Sequence, residues 1–482
     1  MNSKKLYDDY IKPNLDKARS RTKRDIEYSY FNLQDEYKNL GVGKTYFIET
    51  YGCQGNEADS EMMAGILEAI GFSKALVVDD ADIALVNTCA IRENAENRAW
   101  GELGRLKSFK RHNPNLIIGV AGCMPQEEKT IKRILETYPH IDIVFGTHNI
   151  DKLPIYIKQA MFDKERVIEV YSKEGGIIDN IPKARNHHYK AWVNIMFGCD
   201  EFCTYCIVPY TRGKERSRLP KDVIKEVEEL VQDGFQEITL LGQNVNAYGK
   251  DFKELKYTFG DLLNDLAKTG INRIRFTTSH PHDLDLNTMY AIKNNDSVMP
   301  YFHLPVQSGS NAVLKKMNRH YTREKYIEVV KELRRIVPDI AITTDIIVGF
   351  PNETEEDFLE TLSLVDECQF EGAYTFIFSA REGTPAASFE DEISNDEKKE
   401  RLKRLIKRVN EYYKSCNKKY VGNVVKALVD GVSKYDDSIL AGYTEHNKLI
   451  NFKGNKSDIG KIVSVKVTMA RTWFLIGEQI DE

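Results

Sequence analysis

No stretch of this sequence is long and apolar enough to cross a membrane. The best runs, such as Leu116-Ile117-Ile118-Gly119-Val120-Ala121, are strand-length, against the roughly 18 residues a spanning helix needs. Glycine and proline are sparse, 30 and 14 in 482 residues, which excludes collagen-like and low-complexity chains. Charge of one sign is lacking too. Lys and Arg number 68 against 73 Asp and Glu, a net charge of −5, which disfavours nucleic-acid binding over the whole surface but leaves a local basic face open. Residues 1–40 interleave basic residues with Asp8, Asp9, Asp16, Asp25, Glu27 and Asp35 and hold no apolar core of signal-peptide length. The chain is therefore expected in the cytoplasm, off the membrane and as a monomer. Repeats of solenoid length are absent. What is present is an ordinary globular composition, 41% hydrophobic and 29% charged, with room for about three domains.

Residues 1–43 are polar and aromatic without a clean period, and are expected to form an extension with some helix. From Lys44 a β-rich run reaches Gly52-Cys53 and a helical stretch follows over 60–69. A second run, 81–86, leads into Asn87-Thr88-Cys89; a third, 116–120, into Ala121-Gly122-Cys123; a fourth strand is predicted at 141–145. Strands alternating with helices imply a parallel α/β sheet, assigned here to 44–162. Each of the first three strands ends in a cysteine, and open α/β sheets bind ligands at the carboxyl ends of their strands. These thiols are expected to converge.

Beyond a polar connector, 165–188, with Gly175-Gly176 and Pro182, six strand-like runs are predicted at 191–196, 237–241, 273–277, 301–305, 341–348 and 373–378. Helical stretches lie between them, as at 220–232, 314–335 and 355–368. Six β/α repeats suit a partial (β/α)6 barrel over 185–415, shorter than the eightfold form. Its strand ends carry Gln243, Asn244, Ser279, His280, Gln307, Ser308, Asp345 and Ser379, on the face where barrel sites are built. A basic helix follows at 401–419. The remainder, 416–482, reads as a small β-barrel with strands at 425–429, 462–469 and 473–476. The fold class is α/β with this β-barrel appended.

Cysteine is scarce, eight residues, yet it is grouped. In a reducing compartment clustered thiols bind metal or do chemistry more often than they pair. Cys199-Asp-Glu-Phe-Cys203-Thr-Tyr-Cys206 follows the first barrel strand. Zinc sites generally want four ligands; three close thiolates suit a [4Fe–4S] cluster with one iron left open.

This run, its position and Tyr205 before the last cysteine resemble the radical S-adenosylmethionine superfamily. The resemblance implies that Cys199, Cys203 and Cys206 hold a cluster whose open iron binds S-adenosylmethionine and reductively cleaves it to a 5′-deoxyadenosyl radical. The segments Thr50-Tyr51-Gly52-Cys53-Gln54-Gly55-Asn56-Glu57-Ala58-Asp59-Ser60, Asn87-Thr88-Cys89-Ala90-Ile91-Arg92-Glu93 and Ala121-Gly122-Cys123 resemble the N-terminal domain of the methylthiotransferases. In that family these thiols, here Cys53, Cys89 and Cys123, hold a second [4Fe–4S] cluster, and the terminal barrel resembles its TRAM domain. The tRNA branch is the closer match, through Asn87 to Arg98 and through Cys206-Ile-Val-Pro-Tyr-Thr-Arg-Gly-Lys-Glu-Arg-Ser-Arg218. One departure is Gly55, where that branch usually has Met; every thiol is kept, so the change bears on local packing.

The implied activity is methylthiolation at carbon 2 of a prenylated adenosine beside the tRNA anticodon, with an electron donor such as flavodoxin. Alternatives are methylthiolation of a ribosomal-protein aspartate or of threonylcarbamoyl-adenosine in tRNA. From another class comes an RNA-binding protein with structural zinc. Tyr205, Gln243, Ser279, Gln307 and Asp345 are the expected cofactor contacts. His280 and His282 flank a proline just past a strand and are expected to cap. Cys368 and Cys416 sit alone in helical stretches and are expected to be core. Three basic stretches, 105–111, 212–218 and 401–419, bear on an RNA partner, because phosphates need only local positive charge. Arg401, Lys403, Arg404, Lys407 and Arg408 are the chief candidates, with Tyr412, Tyr413 and Trp473 available to stack on unpaired bases.

Overall fold

In a computed structural model of the chain, residues 15–21, 25–91, 93–164, 166–170, 176–434 and 436–480 are described. Parts of the extension (1–14, 22–24) and of the connector (165, 171–175), together with Arg92 of the second cysteine motif and positions 435 and 481–482 of the terminal barrel, lie outside them.

The N-terminal unit is a six-stranded parallel sheet in the order Ser73–Lys74, Thr45–Tyr51, Ile83–Thr88, Ile117–Gly122, Ile143–Phe145, Val167–Glu169. Helices cover both faces, so the two central strands are buried along their whole length and read as continuous apolar runs. Alternate residues feed two cores: Ile83 and Leu85 pack with Met63, Ile66 and Leu67 of helix Gln54–Ala69, while Ala84 and Val86 pack with Trp100 and Leu103 of helix Glu93–His112. The register sets Tyr51 opposite Thr88 and Thr88 opposite Gly122. Cys53, Cys89 and Cys123 therefore leave the sheet side by side, as expected. Gly122 has φ +101°, and a Cβ there would collide with Asn87 and the Thr88 backbone; only glycine lets that chain turn so closely into Cys123.

The extension is more integrated than its composition implies. Tyr28–Tyr30 pairs in parallel with Ile177–Asp179 of the connector, and Phe31, Leu33, Tyr37 and Leu40 pack on the N-terminal core. Ala18, in helix Leu15–Arg21, is buried against Ala90, Cys123, Ile207 and Tyr210.

The central unit has six parallel strands in two groups of three: Lys190–Asn194, Glu237–Leu241 and Arg273–Phe276, then Tyr301–His303, Ala341–Val348 and Gly372–Ile377. A bridge from Ile274 to Val298 joins the groups. The first and last strands do not pair with each other, which leaves a partial barrel with an open flank. In Ala341–Val348 the residues Ile342, Ile346 and Val348 pack in the core beneath the helices, while Thr343, Asp345 and Ile347 remain half-exposed. This is the alternation of a barrel wall facing a lumen.

The terminal barrel is closed and five-stranded. Two of its strands, Asp436–Thr444 and Leu449–Lys453, are absent from the sequence reading, and the expected strand at 473–476 is corrected to Leu475–Gln479, with Trp473 in the turn before it. In so small a barrel the outward residues of each strand are polar, so Asp436-Asp437-Ser438 looks like loop. This barrel seats on the amino ends of the central strands. Arg273 donates to the Tyr443 and Lys426 carbonyls at 2.9 and 2.7 Å, and Arg275 to those of Thr444 and Glu445 at 2.7 and 3.1 Å. The carboxyl ends face the N-terminal unit.

Candidate cluster and cofactor site

The loop carrying Cys199, Cys203 and Cys206 is pinned at both ends. Met196–Phe197 pairs antiparallel with Arg216–Ser217, and the Cys199 N–H donates to the Gly213 carbonyl at 3.1 Å. Gly198, at φ +78°, makes this possible, since a Cβ there would run into the Lys214 carbonyl. Gln243, at the end of the second barrel strand, accepts the Gly198 N–H at 2.5 Å. Thr204 is tied to Met317 and Lys316 by its N–H and hydroxyl. Arg319, buried, donates from Nη1 to Cys203 Sγ at 3.3 Å and from Nη2 to the Pro305 carbonyl at 2.9 Å. Burial raises the Cys199 thiol well above its usual range and pushes Cys206 up to about 12. Metal binding here must displace protons from these thiols.

The expected cofactor contacts fall into two groups. Tyr205, half-buried within the cysteine loop, packs against the apolar cluster of Val313, Met317, Phe350 and Ala386, and Gln243 braces that loop. Ser279 is buried with no partner for its hydroxyl, next to His280, whose Nε2 lies 3.5 Å from Glu201 of the cysteine loop. Gln307, at φ +73°, bridges Asp345 O and Ile347 N through its backbone at 2.8 and 2.9 Å. Asp345 lies 3.4 Å from His303 Nε2 in the barrel wall. Three thiols on one loop and an unsatisfied buried hydroxyl fit an iron–sulfur cluster with a polar ligand; a hard cation would ask for oxygen donors.

Glu201, His280 and Asp283 come together below this loop. Asp283 accepts from Lys250 and from Asn244, the latter at 2.5 Å, so its cation is the lysine. Burial, with Asp283 nearby, pushes Glu201 up to about 7. Burial also holds the His280 imidazole well below its usual range, and its Nδ1 accepts the His282 N–H at 3.3 Å, the capping role expected.

The other three thiols gather at the sheet's carboxyl edge. Cys53 is the N-cap of helix Gln54–Ala69, with its Sγ 3.5 Å from Asn56 Oδ1. Cys89 Sγ accepts the Ile91 N–H at 3.3 Å. A hydrogen bond with Cys89, aided by Arg212, lowers the Cys53 thiol, while the same bond raises Cys89. Beneath them the buried Asn56 and Asn87 amides satisfy each other and Ser60. A Cβ on Gly55 would sit 3.6 Å from Cys53 Sγ and 3.7 Å from Arg212 Nη2, ordinary contact, so this departure leaves the thiols in place.

Arg212 is the residue that sequence reasoning misplaced. It lies in one of the basic stretches expected to bear on an RNA partner, yet Arg212, Lys214, Arg216 and Arg218 are all buried. Arg218 is forked onto Asp179 at 2.7 Å and also meets Glu226. Arg212 bonds Asp59 and Cys123 Sγ, the latter at 3.2 Å from Nε. The signal available was its position: six residues past Cys206, just after the short helix Val208–Thr211. That helix follows the first cysteine loop directly in the chain, and Ile207 and Tyr210 pack with Cys123 of the other group.

The basic helix, Asn395–Lys418, also needs correction. Arg401 is turned inward, 2% exposed, and its Nη1 lies 2.9 Å from the buried Glu353 carboxylate, so it cannot meet RNA. The reason is legible: Arg401, Leu405 and Val409 are spaced by four and share the core face. Arg404 pairs with Glu355 at 2.7 Å and Arg408 with Asp366 at 3.3 Å. Lys403 and Lys407 are exposed. Of the other basic stretch, Arg105 bonds Glu102 and Lys110 bonds Asp142. Tyr412 donates to Asp366 at 3.1 Å, Tyr413 lies under Lys448, and Trp473 is exposed with its Nε1 on Asn410. Cys368 and Cys416 are buried in helices, away from both groups, as expected.

Comparison with known proteins agrees with this geometry. Residues 193–365 match the radical SAM superfamily, 45–146 the uncharacterized protein family UPF0004, and 418–480 the TRAM domain. A tRNA-2-methylthio-N(6)-dimethylallyladenosine synthase of Oceanobacillus iheyensis is 57% identical over 470 residues, covering 97% of this chain and 91% of that protein. The enzyme of the same name from Bacillus subtilis is 56% identical, covering 98% and 93%. Among solved structures, the radical S-adenosylmethionine methyltransferase TsrM from Kitasatospora setae, bound to tryptophan and a SAM analogue, superposes with a TM-score of 0.53 at 13% identity, over 71% of this chain and 75% of that one. That likeness is one of fold.

Proposed function

The chain belongs to the tRNA-2-methylthio-N(6)-dimethylallyladenosine synthases, a radical S-adenosylmethionine family of transferases, and on that premise we propose how its own residues divide the work. The reaction adds a methylthio group to carbon 2 of a prenylated adenosine beside the tRNA anticodon. The observation that supports the assignment of residues is that the segment following Cys206 reaches the other thiol group, with Ile207 and Tyr210 packed with Cys123 and Arg212 donating to its Sγ.

Cys199, Cys203 and Cys206 hold the [4Fe–4S] cluster that binds S-adenosylmethionine, and Cys53, Cys89 and Cys123 hold a second one. Once bound, cluster and cofactor supply a one-electron route to an aromatic C–H bond that no acid–base group reaches at neutral pH. Gln243 and Arg319 fix the first cysteine loop, and Tyr205 shields it. Ser279, with its unpartnered hydroxyl, offers a hydrogen bond to the cofactor; Gln307 and Asp345 line the wall beyond. The apolar cluster of Ala18, Ala90, Ile207 and Tyr210 keeps water from the gap between the thiol groups. Lys403, Lys407 and the terminal barrel contact tRNA phosphates, and Trp473 stacks on a base. A flavodoxin-type donor supplies electrons, and the enzyme works as a cytoplasmic monomer. Among the described residues no helix is long and apolar enough to cross a membrane.

The test is nucleoside analysis of tRNA from cells lacking this protein. The prenylated adenosine should accumulate without its methylthio group and be restored by the wild-type gene, not by a C53A or C199A copy. Unchanged tRNA with loss of a ribosomal-protein modification, or loss confined to threonylcarbamoyl-adenosine, would point to the alternative substrates.

A further inference from the structure

Arg212 is anchored to one cysteine loop and spends its side chain on the other cysteine group. Its backbone closes the helix that begins two residues after Cys206. Its guanidinium, in a residue 6% exposed, donates from Nη1 and Nη2 to Asp59 at 3.3 and 2.6 Å and from Nε to Cys123 Sγ at 3.2 Å. Asp59 is buried too, on the helix that Cys53 caps. A simple ion pair between the two units would need only the two Nη contacts. The third bond reaches a sulfur, and Cys53 also lies within the field of the same charge.

Resting on the reading that Cys53, Cys89 and Cys123 hold a second cluster, we infer that Arg212 is a positioning residue that sets the reduction potential of that cluster, with Asp59 as the opposing half of the device. A cationic donor on a ligating thiolate stabilises the more negative, reduced state and raises the potential. The Asp59 carboxylate, sharing the same guanidinium, offsets part of that charge. Because Arg212 follows directly on the first cluster's loop, it also ties the electrostatics of the second site to the docking of the two units.

The two partners make opposite predictions, which separates this role from a merely structural one. Loss of either member of a structural ion pair would loosen the interface alike. Full-length wild type, R212Q and D59N, reconstituted anaerobically, are titrated potentiometrically and followed by electron paramagnetic resonance, the second cluster's signal being the one that persists in C199A/C203A/C206A. R212Q should move that midpoint to more negative potential and D59N to more positive, with the first cluster's midpoint unchanged. Shifts in the same direction, or none, overturn the inference and leave the two-cluster reading intact. Should R212Q fail to hold its cluster, D59N decides: a positive shift sustains the inference, an unmoved or negative midpoint overturns it. Wild-type protein that binds only one cluster's iron overturns both.

Discussion

Replacing Arg401 by Met should cost stability without touching RNA affinity, whereas K403A/K407A should do the reverse. The buried Glu353 carboxylate accepts both the Gly349 N–H, at 2.7 Å, and Arg401, and Arg401 also donates to the Glu353 backbone carbonyl at 2.8 Å. Methionine keeps the volume but strands this carboxylate. Removing one partner of a buried pair costs about 3–5 kcal/mol, and in a unit of this size each kcal/mol lowers the melting temperature by roughly 2–4 °C, so the fall should be roughly 6–20 °C. Burial already raises the Glu353 carboxyl above its usual value. A folded-state acid with a raised pKa favours the protonated form in the folded protein, so the R401M deficit should shrink as pH falls below neutral and grow as it rises. Differential scanning fluorimetry across pH reads this directly. The exposed lysines carry the other half: each phosphate contact on a single-stranded loop contributes about 0.7 to the slope of log K against log salt. K403A/K407A should therefore flatten that slope by up to about 1.4, at unchanged melting temperature. If R401M flattened the salt slope and left stability alone, the inward placement of this guanidinium would be refuted.

Two further outcomes follow from the geometry. Gly198→Ala should abolish cofactor cleavage and lower iron content by about half, because a left-handed φ costs a non-glycine residue about 1–2 kcal/mol and the new Cβ meets the Lys214 carbonyl; iron analysis showing full loading would contradict it. Arg273→Ala leaves the Tyr443 and Lys426 carbonyls without their donor, at about 1–3 kcal/mol each. The terminal barrel should undock and become sensitive to limited proteolysis near 419–423, and an unchanged digestion pattern would count against the interface.

Much of this was legible in the chain. The central strands of the N-terminal sheet announce themselves as short, continuous apolar runs with cysteines just past their ends, and the six barrel strands as short β-rich runs between amphipathic helices, with polar residues at their ends. Two kinds of feature were hidden. The hairpin strands of the terminal barrel alternate so much charge on their outer face that Asp436–Thr444 resembles loop. The fate of the arginines depends on partners far away in sequence. Arg212 meets Asp59 across 153 residues and Arg218 meets Asp179 across 39, so a run of positive charge that suggests RNA is in fact interior wiring. Arg401 was the exception, since its spacing to Leu405 and Val409 already placed it on the core face.

The central claim is that the two three-thiol groups, Cys199, Cys203 and Cys206 with Cys53, Cys89 and Cys123, serve together in adding a methylthio group to prenylated tRNA. The most direct test is a reconstituted reaction with reductant and S-adenosylmethionine, offering tRNA bearing the prenylated adenosine alongside unprenylated tRNA and ribosomal protein, with products weighed by mass spectrometry. The account predicts about eight irons per chain, methylthiolation of the prenylated adenosine alone, cofactor cleavage lost in C199A/C203A/C206A, and cleavage without methylthio product in C53A/C89A/C123A. Methylthiolation by the latter variant, or a mass gain on the protein with tRNA unchanged, would contradict it.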